Sequence, residues 1–201
     1  MDVGSGDGRG PYRWASRERQ RLFVASDANP DVLRDIAWRA GRKASRGGLS
    51  NLLCIAESLS VLAGLGAIAD RISVFLPWGE LLRTVAGASP ESLRHLAQLG
   101  LLNATVDVVF SYEQHDSGSI FLPGLESLTE PHLRERFPAQ YAEAGLRIVE
   151  ADRITHRALA NLGTTWSRRL AFGRPRDIWR IRAVVENTSR PPLTHEALPS
   201  L

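Results

Sequence analysis

Asp2-Val-Gly-Ser-Gly-Asp-Gly8 reads as the end of a strand, a glycine-rich turn and the start of a helix. Glycines in such a turn let the backbone approach a ligand with no Cβ in the way. Two common nucleotide motifs are excluded. The dinucleotide fingerprint G-x-G-x-x-G needs a glycine at its sixth position, and counting from Gly4, Gly6 and Gly8 finds Arg9, Pro11 and Arg13. The phosphate loop G-x-x-x-x-G-K-[ST] needs a lysine beside its glycines, and the only lysine is Lys43. What is left is an acid followed by G-x-G-x-G. Further along, the apolar stretch 21–26 ends in Asp27, nineteen residues after Gly8. A carboxylate there can accept hydrogen bonds from both hydroxyls of a ribose, as any adenosine-bearing ligand requires.

Around these motifs, apolar runs of strand length alternate with helix-like stretches as far as Glu186, which predicts an α/β domain with a largely parallel sheet. Seven strands are expected: one before Gly4, then 21–26, 51–55, 71–76, 105–110, 146–154 and 178–186. Only Met1, Asp2 and Val3 precede Gly4, so the first strand is expected to be cut short. Helices are expected at 30–45, 79–85, 90–99 and 131–144. Pro30, Pro90 and Pro131 fall near their starts, where the missing N–H is harmless. The 201 residues, 43% of them hydrophobic, suit one globular domain at 1–186. The remaining 187–201, rich in turn and breaker residues, is expected to be a poorly ordered tail. A single cysteine, Cys54, excludes a disulfide framework and a multi-thiolate metal site. The longest apolar stretch, 60–69, is too short to span a bilayer, and the N-terminus lacks the pattern of a secretory signal. The expected setting is cytoplasmic, with no membrane partner. The net charge is only +3, but 24 of the 25 basic residues are arginine, so the distribution of charge matters more than its sum.

The acid followed by G-x-G-x-G resembles the first motif of class I S-adenosylmethionine methyltransferases. The third predicted strand runs into Ala56-Glu57-Ser58, where folds of that class hold the adenine. The fourth ends in Phe75-Leu-Pro-Trp-Gly79, at the carboxyl edge where open α/β sheets bind ligands. A second tryptophan, Trp166, lies in Thr164-Thr-Trp-Ser-Arg-Arg169, in the connection before the last strand. Two indoles facing one pocket can sandwich a planar base, at about 1–3 kcal/mol per stacking contact. That offsets the few kcal/mol needed to pull a base from a helical stack. Between Trp166 and Arg182 stand six arginines, Arg168, Arg169, Arg174, Arg176, Arg180 and Arg182, against one acid, Asp177. Guanidinium forks bind phosphate in a planar, bidentate way, so this run suits a phosphate-gripping loop. A second basic group, Arg39, Arg42, Lys43 and Arg46, leads into Gly47-Gly48 in the linker between the second and third strands, and is expected on the same rim. Binding through such groups weakens steeply with salt.

Four segments carry a closer likeness: Asp2 to Gly8, Phe75-Leu-Pro-Trp-Gly79-Glu-Leu-Leu-Arg83, Gln140-Tyr-Ala-Glu-Ala-Gly145, and Thr164-Thr-Trp-Ser-Arg-Arg-Leu-Ala-Phe-Gly-Arg-Pro-Arg176. Together they resemble the aminoglycoside-resistance methyltransferases of the kanamycin and apramycin type, which modify N1 of adenine 1408 in 16S rRNA. The likeness covers nearly the whole chain up to about Glu186. It implies a Rossmann-like class I fold with a seven-stranded, mostly parallel sheet whose last strand is antiparallel. It also implies that S-adenosyl-L-methionine, leaving as S-adenosyl-L-homocysteine, contacts Gly4, Asp27, Ala56 and Glu57. The turn Phe75, Leu76, Pro77, Trp78, Gly79 and Glu80 would complete that contact with Thr164, Thr165 and Trp166. By the same resemblance Trp78 and Trp166 stack on the flipped adenine. Arg169, Arg174 and Arg176 match positions that grip rRNA around the target, and Arg42, Lys43 and Arg46 fall, by region, in the rRNA-docking linker. The implied partner is 16S rRNA in the 30S subunit, met by a monomer. The family carries an N-terminal hairpin ahead of the glycine motif, for which this sequence offers no counterpart.

The chemistry can be argued independently. Adenine N1 has an in-plane lone pair and needs no deprotonation to attack a sulfonium methyl, so the enzyme must chiefly hold nucleophile, methyl and leaving sulfur in line. No general base is required. His115 with Glu113 and Asp116 follows the fifth strand and reads as a polar loop rather than an acid–base group. His95, His132, His156 and His195 show no H-x-x-x-H or H-E-x-x-H spacing, so no metal is expected. Three alternatives stay open: a methyltransferase for tRNA or another rRNA position, such as guanine N7; a non-catalytic RNA-binding module; and a small-molecule methyltransferase, which the paired arginine groups disfavour.

Overall fold

The computed structural model describes residues 1–111, 128–172 and 176–186. The apolar runs become seven strands, β1 (Asp2–Val3), β2 (Phe23–Ser26), β3 (Leu52–Ile55), β4 (Ala69–Phe75), β5 (Gly100–Phe110), β6 (Leu146–Arg153) and β7 (Trp179–Val185). They form one sheet in the order β3-β2-β1-β4-β5-β7-β6. β7 is antiparallel to both of its neighbours, and the other pairings are parallel. Although β1 has two residues, it holds the centre: Asp2 pairs with Ala25 on one side and Ser73 on the other. From β1 the chain winds outward to β2 and β3, then returns to place β4 on the other flank. That reversal opens a crevice at the carboxyl ends of β1 and β4, where open α/β sheets bind ligands.

Eight α-helices connect the strands: α1 (Arg9–Arg17), α2 (Pro30–Ala40), α3 (Leu59–Ala63), α4 (Gly79–Gly87), α5 (Pro90–Leu99), α6 (Phe137–Glu143), α7 (His156–Ala160) and α8 (Thr165–Ala171). The helix expected over 30–45 stops at Ala40, and a 3-10 turn, Ala44–Arg46, follows. The one expected over 131–144 opens with a π-helical turn, His132–Arg136. Sequence periodicity does not predict α3, α7 and α8. They are too short to show an apolar stripe, yet each begins at a hydroxyl cap: Ser58, Thr155 and Thr164 accept from the backbone N–H groups of Val61, Ala158 and Ser167. One face of the sheet buries Ile72, Val74, Val106, Val108 and Phe110 among Leu93 and Leu96 of α5 and Phe137 and Tyr141 of α6. A smaller group, Ala25, Leu33 and Ile36, seats α2 on the sheet.

Two arginines of the run before and within the last strand prove to be part of the scaffold. On β7, Arg180 and Arg182 alternate with Ile181 and Ala183, so they share one face of the strand. Arg180 Nε donates to Asp107 Oδ1 on β5 at 2.8 Å, and its Nη2 reaches Asp107 Oδ2. Arg182 pairs with Glu150 on β6. The expectation of six phosphate-gripping arginines is therefore corrected: these two stitch three strands together.

Candidate active site

The carboxyl ends of the strands open on a cavity of about 770 Å³, within the roughly 300–1,000 Å³ usual for small-molecule sites. Its wall includes the glycine turn (Gly4, Ser5, Gly6, Asp7), then Asp27, Glu57, Phe75, Leu76, Pro77, Trp78, Glu80, and finally Thr164, Thr165 and Trp166. Of the cofactor residues expected from sequence, Ala56 and Gly79 do not line it.

The glycine turn is built around Asp27. Its Oδ2 accepts from the Gly6 N–H at 2.9 Å, and its Oδ1 accepts from the Asn29 N–H at 3.0 Å. Gly4 has φ 71°, a left-handed backbone that favours glycine, and a Cβ there would lie 2.6 Å from the Leu81 Cδ2 methyl, which would have to move aside. Gly6 has φ 56° and nothing within 4 Å of its would-be Cβ, so a ligand can come directly against its backbone. Beside it, the Ser5 hydroxyl is buried with no hydrogen-bond partner among the described residues. An open cradle, an orphaned hydroxyl and a strand-end carboxylate on the cavity wall fit an adenosine-bearing cofactor with a polar amino-acid end.

The two tryptophans meet at the mouth of this cavity. Leu76, buried and at φ 55°, bends the chain as it leaves β4; such left-handed geometry costs a branched residue about 1–3 kcal/mol. Its N–H donates to the Val109 carbonyl at 2.7 Å, which holds the bend. Trp78 follows, 51% exposed. Trp166, 42% exposed, stands in the first turn of α8, fixed by a reciprocal capping box between Thr164 and Ser167. Their ring centroids are 5.7 Å apart at 57°. The Arg169 guanidinium lies over the Trp166 ring at 5.4 Å, and Thr165 Oγ1 donates to Asp7 Oδ2 at 2.7 Å, tying α8 to the glycine turn. The cavity also contains Ser92 and His95, one turn apart on α5. No motif marked them, because a histidine read only for metal spacing gives no sign of which cavity its helix faces.

The model of the NpmA family, 16S rRNA (adenine(1408)-N(1))-methyltransferase, matches residues 1–185. The chain is 32% identical over 184 residues to the 16S rRNA (adenine(1408)-N(1))-methyltransferase of Escherichia coli, covering 90% of this chain and 84% of that one. To the enzyme of the same description from Streptoalloteichus tenebrarius it is 36% identical, over 88% and 81% of the two chains. Among solved structures, the 16S rRNA methyltransferase KamB superposes with a TM-score of 0.82 at 32% identity, covering 92% of this chain and 86% of KamB. The chain belongs to the 16S rRNA (adenine(1408)-N(1))-methyltransferase family. A further member, a tryptophan-to-alanine mutant from Catenulisporales acidiphilia solved with the cosubstrate SAM, gives a TM-score of 0.82 at 27% identity, over 94% and 86% of the chains.

Within this methyltransferase family fold, the basic residues separate into two places. Arg169 is exposed beside the tryptophans, and Arg176 is half-buried just before β7. Arg174, like Glu113, His115, Asp116 and the tail 187–201, lies outside the described residues. Arg42, Lys43 and Arg46 are exposed, but not on the expected rim. α2 leaves the carboxyl end of β2 and runs back for eleven residues, about 16 Å at 1.5 Å per residue. The linker therefore comes out at the amino edge of β3, at the opposite end from the cavity. There Arg42 stacks over the exposed Trp38 at 4.9 Å, and Arg39 over Tyr12 at 4.6 Å. Among the described residues, no helix of this methyltransferase is long and apolar enough to cross a membrane.

Asp2, the acid of the first motif, gives the fold a pH dependence. It is 3% exposed, and its carboxyl is pushed up to about 7 by burial, against the pull of the Ser73 hydroxyl that donates to it. The folded chain thus holds a proton on Asp2 between about pH 4 and 7, where the unfolded chain has lost it. This contribution to stability is complete below the unfolded pKa and disappears as the pH rises through about 7. The urea midpoint of the wild type is expected to fall between pH 5 and 8, and Asp2→Asn is expected to remove that part of the fall. Equal slopes in the two proteins would assign the pH dependence elsewhere.

Proposed function

We propose that this chain transfers a methyl group from S-adenosyl-L-methionine to N1 of adenine 1408 in 16S rRNA, acting as a cytoplasmic monomer on the assembled 30S subunit. The consequence is resistance to aminoglycosides that bind the decoding site: the methyl group with its positive charge removes an acceptor at N1 and repels cationic drugs. The observation that carries this reading is the meeting of Trp78 and Trp166, from two distant parts of the chain, at the mouth of the cavity behind the glycine turn. The cofactor supplies a methyl group made electrophilic by its sulfonium. Asp27 would hold the ribose, Glu57 would flank the adenine with Ala56 behind it, outside the cavity wall, and Gly4, Ser5 and Gly6 would lie along the amino-acid end. Phe75, Leu76, Pro77 and Glu80 would form the wall beside the methyl, with Thr164 and Thr165 opposite, while Gly79 shapes the turn from outside the cavity. Trp78 and Trp166 grip the extruded base and set its N1 in line. Arg169, Arg174 and Arg176 hold the RNA around the target, while Arg42, Lys43 and Arg46 touch it at a second place, a helix length away.

No side chain has to remove a proton, so the rate is set by positioning. Primer extension on 30S subunits incubated with the protein and S-adenosylmethionine is expected to stop at adenine 1408. Mass-spectrometric mapping of the nucleoside is expected to return N1-methyladenosine. A folded protein that gives no stop, or a methyl group on a guanine or on tRNA, overturns the reading.

A further inference from the structure

Helix α1 carries Arg9, Arg13 and Arg17 at successive intervals of four, which aligns them along one face. This row is unfavourable for an isolated helix. Like charges four residues apart oppose each other by about 0.2–0.5 kcal/mol per pair, and a cation in the first turn works against the helix dipole. The first turn contains no acid to compensate. The nearest carboxylate, Asp7, reaches Arg9 at 3.5 Å and is already engaged by Thr165. Among the described residues, Arg13 and Arg17 have no salt-bridge partner, and the Arg13 Nη2 is buried without a hydrogen-bond acceptor. A buried guanidinium donor without an acceptor calls for a specific explanation.

The neighbours of this row point to one. α8 packs beside α1, since a Cβ at Gly10 would lie 3.4 Å from Thr164 Cγ2 and Thr165 bonds Asp7. Arg168, exposed on α8, adds its charge to the row: burial first, then the fields of Arg168, Arg17 and Arg9 acting against that of Asp7, hold the Arg13 guanidinium below its ordinary pKa. The same short helix carries Trp166 and Arg169 at the cavity mouth. A concentration of mutually repelling guanidinium groups, of which only Arg9 meets a carboxylate among the described residues, continuous with a base-stacking site, matches the chemistry of a polyanion strand entering that site.

We propose that Arg9, Arg13 and Arg17 of α1, continued by Arg168 of α8, bind the sugar–phosphate backbone of the RNA strand next to the nucleotide held by Trp78 and Trp166. This inference rests on the rRNA reading above and extends it to a surface that neither basic cluster in the sequence marked. Bound phosphates relieve the repulsion along the helix, so that cost in the free protein is recovered on docking. Because the backbone is what they grip, these arginines set register and affinity and carry no base preference.

The test is the triple variant Arg9→Gln, Arg13→Gln and Arg17→Gln, which keeps helix-forming side chains and removes the charges. Binding to 30S subunits is measured from 50 to 200 mM salt, with S-adenosylmethionine affinity by calorimetry and a urea midpoint alongside. The variant is expected to bind the subunit on the order of 10-fold more weakly at low salt, with a log–log salt slope shallower by about one for each phosphate no longer gripped. Cofactor affinity should stay within twofold, and the urea midpoint should be unchanged or higher. An unchanged slope and subunit affinity in the folded variant overturns the ridge, and so does a weakening of subunit binding that merely follows a lowered urea midpoint. If the wild type itself neither binds nor methylates 30S subunits, the rRNA reading fails first and takes the ridge with it.

Discussion

Trp78→Ala and Trp166→Ala are each expected to lower methylation of 30S subunits by about two orders of magnitude while leaving S-adenosylmethionine affinity within a few fold. The size follows from the base-stacking role proposed for the indoles. A stacked base is worth about 1–3 kcal/mol per aromatic partner, and the flipped state is reached only by spending a few kcal/mol on unstacking. Losing one plate at the upper end of that range costs about 100-fold, since 1.4 kcal/mol is a factor of ten. The geometry adds a second expectation. At 5.7 Å and 57° the rings touch each other, whereas a base between them needs about 7 Å, two van der Waals spacings of roughly 3.5 Å. Entry of the adenine must therefore part the indoles and bring them parallel. Phenylalanine at either position should retain part of the rate, because it keeps a stacking face. Rates are to be measured by cofactor-saturated methyl incorporation and affinity by calorimetry. An alanine variant that methylates at the wild-type rate would remove the base-stacking role, and one that loses cofactor binding to the same extent as rate would make the indole part of the cofactor pocket instead.

The parts of the site legible in the sequence were those written as local patterns. The glycine turn, Asp27 at a strand end and the Phe75-Leu76-Pro77-Trp78 turn all sit where β-strands stop, and strands are short, apolar and easily seen. α8 escaped because seven residues containing Trp166, Arg168 and Arg169 show no apolar stripe. Its one local signal was Thr164 three residues ahead of Ser167, a capping box with serine in place of the usual glutamate. The misplacement of Arg42, Lys43 and Arg46 has a geometric cause: in a strand–helix–strand unit the linker after the helix lies at the end of the sheet opposite the linker before it. Arg180 and Arg182 looked like free charge because their partners, Asp107 and Glu150, are 73 and 32 residues away. Only the strand register brings them together. Conversely, the row on α1 was visible as a spacing of four but was diluted over nine residues, and charge density alone passes over it.

Asp27→Ala is expected to weaken S-adenosylmethionine binding about 100-fold and to reduce methylation at low cofactor concentration by a similar factor, with a much smaller loss at saturation. A hydrogen bond to a charged group contributes about 1.5–3 kcal/mol, and the two ribose hydroxyls can both be accepted by this one carboxylate. The same carboxylate already accepts from the Gly6 and Asn29 N–H groups at 2.9 and 3.0 Å. Its removal therefore also frees the glycine turn and should lower the urea midpoint modestly. Asp27→Asn separates the two effects. It keeps one acceptor for the turn, and so most of the stability, but replaces the charge and turns one oxygen into a donor. It should bind the cofactor nearly as poorly as the alanine variant while melting close to the wild type. If both variants bind S-adenosylmethionine like the wild type, the ribose is held elsewhere. If they lose affinity only in proportion to their loss of stability, Asp27 acts on the turn and not on the cofactor.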